Sequence, residues 1–181
     1  MPPLPVIQWL KQHYPRPSVD PEWLDACCGW ISDEKNLSHA TNFDEYIKEV
    51  ETQLLRSSLT DSMVAGTGLP PNTSEMANGK ISGKPVLVEL TSITEIAHSA
   101  FSLQNTRQTM IDRADLAGLA EEDEDEEGRA IKYPRGMLHL TLSDGVTKVK
   151  AIEYRSLADL ELGVTPLGYK VQCLICYASQ K

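Results

Sequence analysis

Leu138, Leu140 and Leu142 alternate with His139 and Thr141, a period of two that puts the leucines on one face of a strand and the polar residues on the other. Ser143, Asp144 and Gly145 follow as turn chemistry, because Asp closes a local side-chain turn and Gly accepts positive φ. Val146 to Tyr154 is rich in β formers, so the two runs predict a hairpin. Val149 and Ala151 hold one phase of the second run while Ile152 and Tyr154 hold the other, which predicts a bulge or a change of face near Ala151. A strand is predicted upstream from Lys84, where Val86, Val88 and Leu90 alternate with Leu87 and Glu89, and Ile93 and Ile96 carry the run to about Ala97. Tyr169 to Tyr177 predicts a fourth strand, and the leucines 157, 160 and 162 between lie near helical spacing.

The first 60 residues have the other period. Leu4, Ile7, Trp9 and Leu10 form a short amphipathic segment that Pro15 and Pro17 end. Asp20 is a good N-cap with Pro21 at the first helical position, and Trp23, Leu24, Cys27, Cys28, Trp30 and Ile31 make a broad apolar stripe that places both tryptophans in a small core. A third helix begins near Asn42, with Glu45 as its reciprocal cap, and runs through Phe43, Tyr46, Ile47, Val50, Leu54 and Leu55. A bundle of this size has a marginal core and is expected to lean on its neighbour.

Helices followed by strands make the fold class α+β. The layout is a helical bundle over 1–60, a Gly-, Pro- and Ser-rich linker over 61–83, and a small Greek-key barrel of the oligonucleotide/oligosaccharide-binding (OB) kind over 84–181. Between strand one and the hairpin lie far more residues than the 2 to 5 of ordinary hairpin loops, so an insertion at about 99–133 interrupts the barrel. It opens with SAFSLQNTRQT, is expected to form a helical turn through Met110 to Leu119, and ends in an acidic run. A five-stranded barrel needs one more strand after Tyr177. With that final strand missing, strand one or its neighbour presents an unpaired, aggregation-prone edge unless a partner covers it.

Charge changes the picture in one place. Glu121 through Glu127 supply seven of the nine net negative charges, so the acidity belongs to one loop and the rest of the chain is near neutral. That run reads either as a solvated, flexible loop or as charge that meets a basic surface on a partner. Neither part is basic, which argues against gripping a phosphate backbone alone. Cys173 and Cys176 form a CxxC without a second pair, and Cys27 and Cys28 share a helix stripe, so all four read as reduced thiols and no metal site is predicted. His13, His39, His98 and His139 are scattered, with His139 on a polar strand face and solvated. No Ser, His and Asp grouping or phosphate-cradling glycine loop stands out, so no catalytic residue and no cofactor are predicted. Tyr154, Tyr169 and Tyr177 lie on candidate strands, with Lys148 and Lys150 nearby; core or partner-facing rings and base-stacking rings are the two readings. No apolar run approaches the roughly 20 residues of a membrane span, and MPPLPVIQWLKQHYPRP lacks the features of a secretory signal, so an intracellular address is expected.

The succession PEWLDACCGWI, NGKISGKPVLVELTSITEIAHSAFS, PRGMLHLTLSDGVTKVKAIEY and PLGYKV resembles the N-terminal region of the RecQ-mediated genome instability protein 1 family over most of residues 18–172. The hairpin with its SDG turn and AIEY end is the most specific element. The resemblance implies a three-helix bundle leading into an OB-fold with a long insertion between its first two strands. It implies a non-enzymatic subunit that binds a type IA topoisomerase, topoisomerase III, and works with a RecQ helicase on double Holliday junctions in the nucleus. DNA is then handled mainly within that complex, with no membrane and no small-molecule substrate. It directs the insertion to the topoisomerase gate and so implicates Ser99, Ala100, Phe101 and Ser102 at its start, together with Lys170 after the last turn. The family pattern continues past GYKV, whereas this chain reads QCLICYASQK and ends. The alternative function is direct binding of single-stranded nucleic acid on the barrel face.

Overall fold

The computed structural model describes residues 1–73, 79–81, 83–117, 131–173 and 176–178. Among these residues five helices and six strands follow one another as α1 (Leu4–His13), α2 (Pro21–Lys35), α3 (Phe43–Arg56), α4 (Leu59–Ser62), β1 (Gly79–Ile81), β2 (Val86–Glu95), α5 (Ala100–Ala117), β3 (Leu138–Ser143), β4 (Lys148–Ile152), β5 (Lys170–Cys173) and β6 (Cys176–Ala178). Four strands form one sheet in the order β4–β3–β2–β5, and β1 pairs with β6 in a second. The α+β class is therefore as expected. The alternation expected of β2 holds only in part, since Val86, Leu87 and Val88 are all buried. β2 lies between β3 and β5, so among the described residues the edges of this sheet are β4 and β5. Two compact units divide the chain: Met1–Ser92 with Leu140–Ala151 and Leu167–Lys181, and Ile93–His139 with Ile152–Pro166.

In the first unit α1, α2 and α3 form where their apolar stripes predict. The Asp20 carboxylate accepts from the N–H groups of Glu22 at 2.8 Å and Trp23 at 3.0 Å, satisfying two of the orphan donors that open α2. At its other end Asn36 takes the left-handed conformation, φ 51°, that closes a helix. Leu24, Cys27, Cys28 and Ile31 of α2 are buried with Tyr46, Ile47, Val50 and Leu54 of α3. Tyr46 donates its hydroxyl to the Cys28 carbonyl at 3.1 Å, which satisfies its polar end inside the core. Leu87 of β2 belongs to the same cluster, so a strand completes the core of a bundle too small to close alone. Burial pushes the Cys27 thiol up to about 12, with the neighbouring Cys28 adding to it, as inert core thiols require.

Several expectations are corrected here. Trp30 is 43% exposed, because it sits about 110° around the helix from the centre of the buried stripe; the Lys35 ammonium lies over its ring. Val6, not Leu4, joins Leu10 in the core. Asn42 does not cap the backbone of α3 and instead donates to the Glu45 carboxylate at 3.4 Å. α4 straddles the start of the stretch read as linker, and β1 lies within it. The predicted strand 169–177 is β5 and β6, with residues 174 and 175 outside those described.

The hairpin alternates as predicted, with Leu138, Leu140 and Leu142 buried. Its turn does more than reverse the chain. Asp144 Oδ1 accepts from Val146 N at 3.0 Å and Thr147 N at 2.7 Å, while Oδ2 accepts from Leu69 N at 2.6 Å, so one buried carboxylate closes the turn and pins the loop after α4. Gly145 has φ 101°, and a Cβ there would lie 2.6 Å from the Leu59 carbonyl oxygen, which only glycine avoids. Along β4, Lys148, Lys150 and Ile152 are exposed and Val149 and Ala151 half-buried, followed by buried Glu153. The phase does not switch at Ala151, because Glu153 rather than an apolar residue takes the next inward position. Turns, not a helix, connect β4 to β5, with Leu160 buried and Leu157 exposed.

Candidate partner-binding site at the insertion

The second unit holds the insertion. β2 ends at Glu95, the chain leaves through Ile96 to Ser99 into α5, and it returns through Ile131 to Met137 into β3. The helix covers Ala100–Ala117 instead of a turn over Met110 to Leu119; Ser99 starts it, its Oγ accepting from Ser102 N at 3.2 Å. The acidic run lies outside the described residues. Of the α5 side chains described, none is buried. Phe101 is 71% exposed and Ile111 also faces solvent. Phe101, Asn105, Thr109 and Arg113 recur every fourth residue along one face, and with Ile131 and Lys132 of the returning segment they line an open groove.

Both ends of the excursion are rooted in buried carboxylates. Burial alone would raise the pKa of Glu95, but hydrogen bonds from the backbone N–H groups of Met137, His98 and Ala97 and from the His98 ring outweigh it and hold it at about 2. Glu153 is likewise held at about 2, chiefly by Arg135, against the opposing effect of burial and with help from the N–H groups of Leu157 and Leu138. Arg135 grips it with two parallel hydrogen bonds, Nη1 to Oε2 at 2.6 Å and Nη2 to Oε1 at 2.5 Å. Lys132 meets Glu161 at 2.9 Å, and Gly163, at φ 82°, leaves room for the ring of Tyr133. Neither carboxylate was singled out from the sequence. The available signal is a Glu continuing the inward phase of Val149 and Ala151, which needs a partner to be tolerated.

Ser99, Ala100, Phe101 and Ser102 thus lie together at the start of α5 in the second unit. Lys170 lies in the first unit with its side chain only 4% exposed: Nζ reaches Glu89 Oε2 at 3.2 Å and the Gly168 carbonyl at 2.8 Å, and Glu89 also accepts from Leu59 N at 3.2 Å. Its ammonium is occupied inside the fold. Tyr154 is 93% exposed, with the Arg155 guanidinium 5.9 Å from its ring centroid. Among the described residues no group of three or more His, Cys, Asp or Glu could hold a metal ion. The side chain of Cys176, half of the CxxC, is outside the described residues, and His139 is half-buried rather than solvated. No helix among the described residues is long and apolar enough to cross a membrane. What the insertion offers chemically is apolar contact and hydrogen bonding along an exposed helix.

A helical domain running into an OB-fold whose strands β2 and β3 are parted by a helix-bearing insertion is the class that this architecture defines. The chain belongs to the RMI1 family. The family model described as the RMI1 N-terminal helical domain matches residues 8–62, and that described as the RMI1 N-terminal OB-fold domain matches residues 69–174. RecQ-mediated genome instability protein 1 of Mus musculus is 32% identical over 154 residues, which are 84% of this chain and 24% of that protein. The protein of the same name in Danio rerio is 30% identical over 170 residues, 92% of this chain and 31% of that protein. The Xenopus laevis protein of that name is 27% identical, over 89% of this chain and 28% of its own length. This chain therefore spans 24% to 31% of the length of the curated relatives it matches.

Proposed function

We propose that this chain is a non-catalytic scaffold of a complex between a RecQ-family helicase and a type IA topoisomerase, topoisomerase III, acting in the nucleus on double Holliday junctions and related recombination intermediates. Family membership supports the RecQ link, since the relatives are named for it. The observation that carries the insertion's role at the topoisomerase gate is α5: 18 residues of helix, with no described side chain buried and Phe101 turned to solvent. Most helical stability in proteins comes from packing one face, so an unpacked helix of this length keeps that face for another molecule. Ser99, Ala100, Phe101 and Ser102 are the contacts assigned to the topoisomerase; Lys170 contributes by bracing β5 against β2 through Glu89. A pull-down of topoisomerase III with the full chain and with residues 102–133 deleted tests this. Binding should survive the deletion and stimulated decatenation should fall; unchanged decatenation would overturn the mechanism.

Exposed Tyr154 beside Arg155 favours a second reading, in which the barrel itself stacks bases of a single strand. The net charge of -9 opposes it. Titration of labelled single-stranded DNA at physiological salt separates the two, since tight binding without a topoisomerase belongs to the second reading alone.

A further inference from the structure

We propose that Glu95 is the positioning residue of the insertion, a buried anchor that joins both ends of the excursion and so sets the direction in which α5 leaves β2. This role rests on the reading of the insertion as the working part. The geometry is specific. Glu95 Oε1 accepts from Ala97 N at 3.0 Å, Met137 N at 2.9 Å and Gly136 N at 3.2 Å, while Oε2 accepts from His98 N at 2.7 Å and faces the His98 ring Nδ1 at 3.0 Å. Ala97 and His98 belong to the outgoing chain, and Gly136 and Met137 to the returning one, about 40 positions later in sequence. Ile96 N also donates to the Met137 carbonyl at 2.9 Å, so the two ends are held side by side.

Two further features show that the site is built for a carboxylate. A Cβ on Gly136 would lie 2.5 Å from the Ala97 Cβ and 2.9 Å from Glu95 Oε1, so only glycine lets the returning chain approach this closely. Every backbone group facing the two oxygens is a donor, and His98 Nδ1 lies within hydrogen-bond reach of Oε2. An amide in place of the carboxylate would turn an NH2 group toward N–H groups and leave those donors without their acceptor. Next along the returning chain, Arg135 and Leu138 N are tied to Glu153, so residues 135–138 are strung between two buried carboxylates. The helix beyond has no buried side chain of its own among those described, and its direction therefore comes from its roots.

Glu95→Gln in the full chain tests the role, with His98→Ala as the milder variant at a side chain that is partly exposed. Amide exchange at Ala97, His98, Gly136 and Met137 should rise together by about tenfold or more in Glu95→Gln, while exchange at Val50 and Leu54 stays unchanged. Spin labels on unnatural side chains at Gln104 and Ala158, both in the second unit, should give a distance distribution that broadens from wild type through His98→Ala to Glu95→Gln. Topoisomerase III should be captured as by wild type while stimulated decatenation falls by about tenfold, a split that loss of the fold would not produce. An unbroadened distribution in a folded Glu95→Gln protein overturns the proposal, as does a broadened one with full stimulation. If Glu95→Gln does not fold, the same two outcomes are read from His98→Ala. Should deletion of residues 102–133 leave decatenation unchanged, the insertion's role as the working part fails, and the distance distribution still decides whether Glu95 aims the helix.

Discussion

α3 precedes β2 in the chain and α5 follows it, and they live by different physics. α3 buries Tyr46, Ile47, Val50 and Leu54 in a core shared with α2 and with Leu87 of β2. α5 is four residues longer and buries none of its described side chains. Its interior carries Asn105, Thr106 and Thr109, which are poor helix formers, so propensity does not compensate for the missing packing. The difference teaches that helix length is no measure of stability. One helix is held by its face, and the other by the chain ends that flank it.

The largest effect that would sharpen this contrast lies in the first unit. Lys170→Ala leaves half-buried Glu89 without its cation and should cost about 3–5 kcal/mol, read as a lowered urea midpoint. A loss below about 1 kcal/mol would show the pair to be surface-like. Next, Leu54→Ala removes a fully buried side chain from the α2/α3 core and should cost about 2–5 kcal/mol. If it costs no more than a substitution on α5, the two helices do not differ as described.

Acid gives a third test, now of the roots of the insertion. Glu95 and Glu153 are held at about 2, below the ordinary 4.5, so each favours the folded state fully above about pH 5, and that contribution is lost as the pH falls toward 2. His98 and Arg135 are the titratable and charged groups facing them. Stability measured from pH 7 to pH 3 should fall in wild type and fall less steeply in Glu95→Gln. Parallel acid limbs would mean that the Glu95 carboxylate is not the ionised hub. Smallest of all, Phe101→Ala and Ile111→Ala should change stability by less than about 0.5 kcal/mol, because both side chains already face solvent. Phe101→Ala should nevertheless weaken stimulated decatenation. A large stability loss at Phe101 would place that ring in a core rather than at an interface.

Much of this molecule is legible along the chain wherever the signal is periodic or local. The Asp20 cap, the α2 and α3 stripes, the alternating leucines of β3 and the SDG turn each depend on residues within about a dozen positions of one another. The long gap between β2 and β3, and so the existence of the insertion, is equally visible. Local reading fails where burial overrules pattern: Trp30 resembles core because it is apolar at helical spacing, yet its angle around α2 points it outward. It fails again at β1, whose pairing with β6 joins Gly79 to Ala178 across most of the chain.

What the chain alone determined is the helices of the bundle and the strands of the four-stranded sheet, because those follow from side-chain period and from φ preferences carried by single residues. Only the tertiary structure decided the fate of the charges. Lys170 turns inward to a glutamate 81 positions away, Arg135 finds Glu153, and Glu95 gathers amides from both ends of the insertion. A carboxylate's partner is chosen by proximity after folding and by the cost of burying it unpaired, and neither leaves a periodic trace along the chain.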